Sequence, residues 1–96
     1  MGVYVDQIRD IIHFGSDRRN GFRHPRGCHM MADDESELEA MANLLGLRKA
    51  WRHGDHYDLT PNKRAQAVLL GANEISNREM VLVRNERWRM HGEQHR

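Results

Sequence analysis

The chain has a single cysteine, Cys28, among its 96 residues. One thiol excludes an internal disulfide and any zinc site built on paired cysteines. It also points to a reducing compartment, so a cytoplasmic location is expected. Cys28 lies in an apolar run, where a free cysteine reads as a small buried hydrophobe rather than a nucleophile. No apolar run approaches the roughly 20 residues of a membrane span, so no membrane partner is expected. The opening MGVYVDQIRD lacks the basic-then-apolar order of a secretory signal. Asp6 stands where a myristoylation signal needs Ser or Thr. There is no GxSxG, no P-loop and no GxGxxG, and GSDRRNG at 15–21 meets none of these templates. Repeats and low-complexity tracts are absent too.

What remains is one small domain, 1–96, with a modest core. The net charge is only +1, which excludes a polycation, but the charge is segregated. RRNGFRHPR at 18–26 holds Arg18, Arg19, Arg23 and Arg26 without an acid, inside a basic loop read at 15–27. DDESELE at 33–39 holds five acids. Local basic surface attracts phosphate even when the total is near zero.

Val3–Val5 reads as a first strand, and residues 7–14 as one or two helical turns. Residues 28–32 (CHMMA) read as a buried second strand. Asp34 and Glu37 form a capping-box pattern ahead of Leu38, Met41, Ala42 and Leu45 at helical spacing, with Gly46 as the stop. Residues 47–51 read as a third strand. Thr60-Pro61 is an N-cap followed by proline at the first helical position, with Ala65, Val68 and Leu69 as the apolar face. Ser76 and Glu79 open a last helix with Met80, Val83, Arg84 and Trp88 on one side, preferred to an edge strand over VLVRN. From 92 to 96 the chain is expected to fray. A strand–helix–strand order favours parallel pairing. The expected fold is α/β: a small three-stranded, partly parallel sheet packed with two or three helices.

HYDLTPNKRAQAVLLGA at 56–72 carries the most chemistry. Lys63 and Arg64 fall in the first turn of a helix, where the macrodipole disfavours cations by roughly 0.3–1 kcal/mol each. An anion at Thr60–Arg64 would reverse that cost, since free N–H groups, an ammonium and a guanidinium all face it. His29, Asp33, His56 and Asp58, with Asp6, form a second polar set at strand ends. His29 and His56 are candidates for acid–base catalysis. The same residue types ligate divalent metals, but no tight ligand pair such as HExxH is present, so no metal is assigned. Arg18, Arg19, Arg23 and Arg26 around Phe22 suggest contact with a nucleic-acid backbone, set against a plain solvated loop. The methionines and tryptophans read as core or as an interface, and a homodimer through the last helix is expected for so small a core.

VYVD at 3–6, CHMMAD at 28–33, the ELEAMANLLGL helix and HYDLTPNKRAQAVLLGA together resemble the bacterial and phage domain-of-unknown-function family 4031, over roughly residues 3–75. The resemblance implies an α/β domain with Asp6, His29, Asp33, His56, Tyr57, Asp58, Lys63 and Arg64 at signature positions. Gly27 stands where many members have tryptophan, and the 7–26 connection is longer and more basic than the family's.

The function expected on these grounds is a binding module that sequesters a phosphate-bearing small ligand, such as a nucleotide. Thr60, Lys63 and Arg64 would hold phosphate, Tyr57 would stack on a base, and Asp6 and Asp58 would orient the histidines. The alternatives are a phosphoesterase or nuclease-like enzyme using His29 and His56, a nucleic-acid accessory protein, and an interaction protein without a ligand. No cofactor follows from the residues.

Overall fold

The computed structural model describes residues 2–10 and 26–94, with side chains described as far as residue 85. Among the described residues, six strands and three helices make a mixed α/β fold. The strands are β1 (Val3–Val5), β2 (Arg9–Asp10), β3 (Arg26–Ala32), β4 (Arg52–His53), β5 (His56–Leu59) and β6 (Asn73–Glu74). The helices are α1 (Glu35–Leu45), α2 (Pro61–Leu69) and α3 (Asn77–Gln94).

β3 is the spine. It pairs antiparallel with β1 and β2 on one side and with β5 on the other. β5 turns back from β4 at Gly54, whose φ of 60° suits a residue without Cβ. β6 runs parallel to β1 at the far edge. The sheet therefore has six strands rather than the expected three. Leu47–Trp51 is not a strand: Lys49–Trp51 form a 3₁₀ turn. β3 and β5 thus meet antiparallel, and the parallel pair is instead β1–β6. Residues 9–10 of the expected first helical turns are strand β2, and 11–14 lie outside the described residues.

Strand alternation divides the sheet into two faces. Val3, Val5, Cys28, Met30, Ala32, Tyr57 and Leu59 point into the core. α1 covers them with Leu38, Met41, Ala42 and Leu45, the residues expected from its spacing. Asp34 caps α1 by accepting the Glu37 N–H at 2.8 Å, and Gly46 ends it at φ 72°. α2 begins as expected, Thr60 Oγ1 accepting the Lys63 N–H, and Val68 of its expected apolar face packs against the core, but Ala65 is exposed and the buried residue is Ala67. Leu69 is 87% exposed, because Lys63 and Arg64 take the inward positions. α3 opens on a reciprocal capping box, Glu79 N–H to Ser76 Oγ and Ser76 N–H to Glu79 Oε1. Helix therefore prevails over VLVRN and continues to Gln94. Met80 is buried, and the Trp88 side chain lies outside the described residues. No described helix is long and apolar enough to cross a membrane.

Candidate functional site

The second face of the sheet carries the polar residues. In β5, Tyr57 and Leu59 enter the core, so His56 and Asp58 take the opposite face. In β3 the same alternation turns His29 outward between Cys28 and Met30. The register sets His29 directly opposite Asp58, and His53 opposite His56. His29 thus becomes the neighbour, on one surface, of His56 and Asp58, 27 and 29 positions away in the chain.

The strand that began as β1 breaks at Asp6. Its buried carboxylate turns onto β3, where Oδ1 accepts the His29 backbone N–H at 2.6 Å. Oδ2 lies 2.9 Å from His29 Nδ1. A carboxylate only accepts, so Nδ1 carries a proton; in the neutral ring that leaves the Nε2 lone pair free to ligate. His56 has the same arrangement, with Nδ1 3.0 Å from Asp55 Oδ1. The two Nε2 atoms then converge on one oxygen: Asp58 Oδ1 is 3.8 Å from His29 Nε2 and 3.9 Å from His56 Nε2. The other Asp58 oxygen, Oδ2, lies 3.0 Å from His53 Nε2. The His29 and His56 rings meet edge to face, and His53 stacks on His56.

His29, His56 and Asp58 each offer a ligand atom within 4.8 Å of the others. Tetrahedral ligands at zinc bond lengths stand about 3.3 Å apart, so small side-chain rotations close the set. A carboxylate behind a ligating imidazole is the usual support of such sites, and both histidines have one. The lack of a tight ligand pair in the sequence therefore does not argue against a metal. The ligands come from two antiparallel strands, and register replaces local spacing.

Burial holds the His56 pKa below the ordinary imidazole value, and the neighbouring His29 charge adds to this, against the pull of Asp55 and Asp58. A neutral imidazole is the ligating form. Burial pushes Asp55 upward, but its hydrogen bond with His56 and the Arg84 guanidinium outweigh that and leave it below the usual carboxylate range.

A cavity of about 210 Å³ opens beside this cluster. Asp6, His29 and His56 lie on its sheet side, and Met80, Val81 and Arg84 of α3 on the other. Arg9 reaches in from β2, its Nη2 3.1 Å from His29 Nε2. Arg84 Nε is 3.3 Å from Asp55 Oδ2.

The remaining expected site residues lie elsewhere. Lys63 Nζ donates to Leu45 O at 2.6 Å, satisfying a carbonyl at the end of α1. Arg64 Nε donates to Asp6 O at 2.7 Å, and Nη1 pairs with Glu74. Both cations thus hold the fold together across elements, which accounts for their place in the first turn of α2. Tyr57 is 1% exposed and its hydroxyl donates to Glu39, so its ring has no face to offer a base. Asp33 accepts from the Tyr4 hydroxyl, apart from the histidines. Arg26 opens β3 and pairs with Asp10 at 3.6 Å. Arg18, Arg19 and Arg23, with most of the 15–27 loop, lie outside the described residues.

Arg9, His53, Asp55 and Arg84 also belong to the site, beyond the residues expected from the sequence. Strand alternation was the available signal for His53 and Asp55: HGDHYD is a hairpin tip with polar residues on one face.

Residues 3–87 match the sequence model of a family described as Protein of unknown function (DUF4031). No curated protein and no solved structure matches the chain.

Proposed function

The chain belongs to the DUF4031 family, and from its side-chain geometry we propose that it is a metal-dependent phosphoester hydrolase. The observation that carries this reading is the convergence of His29 Nε2, His56 Nε2 and Asp58 Oδ1, with each imidazole backed by a carboxylate. Two imidazoles and one carboxylate suit zinc and other first-row divalent metals. Held by His29, His56 and Asp58, such a metal would supply hydroxide at neutral pH and polarise a phosphoryl oxygen. In the reaction, water oxygen bonds to phosphorus, the ester P–O bond breaks and the alcohol leaves with a proton. His29 and His56 are thus ligands in this reading rather than acid and base. A phosphate-bearing small molecule, nucleotides included, remains the substrate class.

The test is titration of chelator-stripped protein with Zn²⁺ and Co²⁺, followed by turnover of bis(p-nitrophenyl) phosphate. Stoichiometric binding with turnover is expected. His56→Ala should lose both while keeping the wild-type circular dichroism. A wild-type protein that takes up neither metal overturns the reading.

Capture of a phosphate ligand without hydrolysis is the second reading. Two guanidiniums, Arg9 and Arg84, on one small cavity favour it. Nucleotide binding by calorimetry with no product formed would select it. The exposed Leu69, Leu70, Val81 and Leu82 support a homo-oligomer in either case. A monomer by light scattering removes that part.

A further inference from the structure

The charges around the cavity are unbalanced. Asp6 lines it, Asp55 and Asp58 stand against its histidines, and Arg9 and Arg84 bring two guanidiniums. With the histidines neutral this leaves one negative charge, which repels a phosphate. A divalent cation on Asp58 changes the sign of the total.

The two arginines reach the same cavity from different elements. Arg9 comes from the exposed strand β2, and its Nη2 lies over the His29 ring, 3.2 Å from Nδ1 and 3.1 Å from Nε2. Arg84 comes from α3, with its side chain 57% exposed and its Nε toward Asp55. Each can turn donors to a phosphoryl oxygen, a geometry guanidinium suits. A cation on His29 would repel the Arg9 guanidinium from the ring and favour its turning to an anion.

We infer that Arg9 and Arg84 form a phosphate clamp that closes only after a divalent metal has bound to His29, His56 and Asp58. This rests on the metal-site reading above and deepens it by naming the substrate's anchor. Binding is ordered: cation first, then phosphoryl group. The cavity, at about 210 Å³, is smaller than the roughly 300–1,000 Å³ of sites that enclose a whole drug-sized ligand. It admits a phosphoryl group and a small neighbouring group. The substrate class is therefore a phosphoester whose larger part extends outside the cavity.

Calorimetry with phenylphosphonate, which has no ester bond to hydrolyse, separates the outcomes. The expected result is binding to Co²⁺-loaded protein and at least tenfold weaker binding to stripped protein. Arg9→Gln and Arg84→Gln should each weaken phenylphosphonate binding about tenfold in the loaded protein. Arg9→Gln should leave Co²⁺ affinity equal to or tighter than wild type, because a competing cation is gone. Equal phenylphosphonate binding with and without Co²⁺, or unchanged binding in both arginine variants, overturns the clamp while leaving the metal site standing. Failure of the wild type to bind Co²⁺ removes both.

Discussion

Asp6 grips His29 twice: one carboxylate oxygen accepts the backbone N–H at 2.6 Å and the other faces Nδ1 at 2.9 Å. The pair spans 23 residues of sequence and joins the break after β1 to the middle of β3. It sets both the position of the ring and its tautomer. Asp6→Asn keeps an acceptor for the backbone N–H but presents an amide to Nδ1. We predict a 10- to 100-fold loss of Co²⁺ affinity, the usual effect of losing such support. Side-by-side titrations with wild type measure it, and an unchanged affinity would show that Asp6 does not govern the ligand.

Arg64 and Lys63 supply a contrast. Their charged ends reach Asp6 O, Glu74 and Leu45 O. Hydrogen bonds from charged groups are worth about 1.5–3 kcal/mol. Arg64→Met should destabilise the fold by about 2 kcal/mol, and Lys63→Met by about 1 kcal/mol because its ammonium resolvates more easily. Urea denaturation reads both. Neither change should alter phenylphosphonate affinity of the loaded protein. A selective loss of that affinity in Lys63→Met would restore the start of α2 as the anion site.

Cys28 faces the core at 3% exposure, and burial, the main cause, pushes its thiol up to about 12. Thiolate is the reactive form. At pH 8 the native protein should resist iodoacetamide for hours, and the urea-unfolded protein should label within minutes. Rapid native labelling would mean that β3 opens readily.

Glu79 is held below its ordinary value of 4.5 by its hydrogen bonds with the Ser76 backbone and hydroxyl. A carboxylate depressed in the folded state contributes stability above its unfolded pKa, and that contribution is lost as the pH falls through the folded value. Glu79→Ala should therefore lower Tm at pH 7, with the gap from wild type narrowing below pH 4.5. Thermal melts at pH 7 and pH 3 decide it. A gap of the same size at both would assign the effect to helix propensity instead.

Local signals sufficed for the helices. Asp34 with Glu37, Thr60 with Pro61, and Ser76 with Glu79 each bond as their spacing suggests. Capping is decided within three or four residues, so no distant partner is needed. The sheet was harder. β2, β4 and β6 are two residues each and carry no period of their own. Leu47–Trp51 has strand-like composition, yet its 3₁₀ turn brings the chain round to β4. The inward face of α2 also ran against hydropathy, since the long stems of Lys63 and Arg64 replaced the leucines there.

Composition, caps and alternation were enough to establish an α/β domain with a buried thiol, three capped helices and polar residues at 29, 56 and 58. Register decided the rest. Only the antiparallel pairing of β3 with β5 sets His29 against Asp58, and only the turn at Gly54 brings His53 and Asp55 behind them. Contacts within a helical turn are enforced by neighbours in the chain. Contacts between strands are chosen by the whole core, whose burial leaves one face of the sheet for Cys28, Met30, Tyr57 and Leu59 and the other for the histidines.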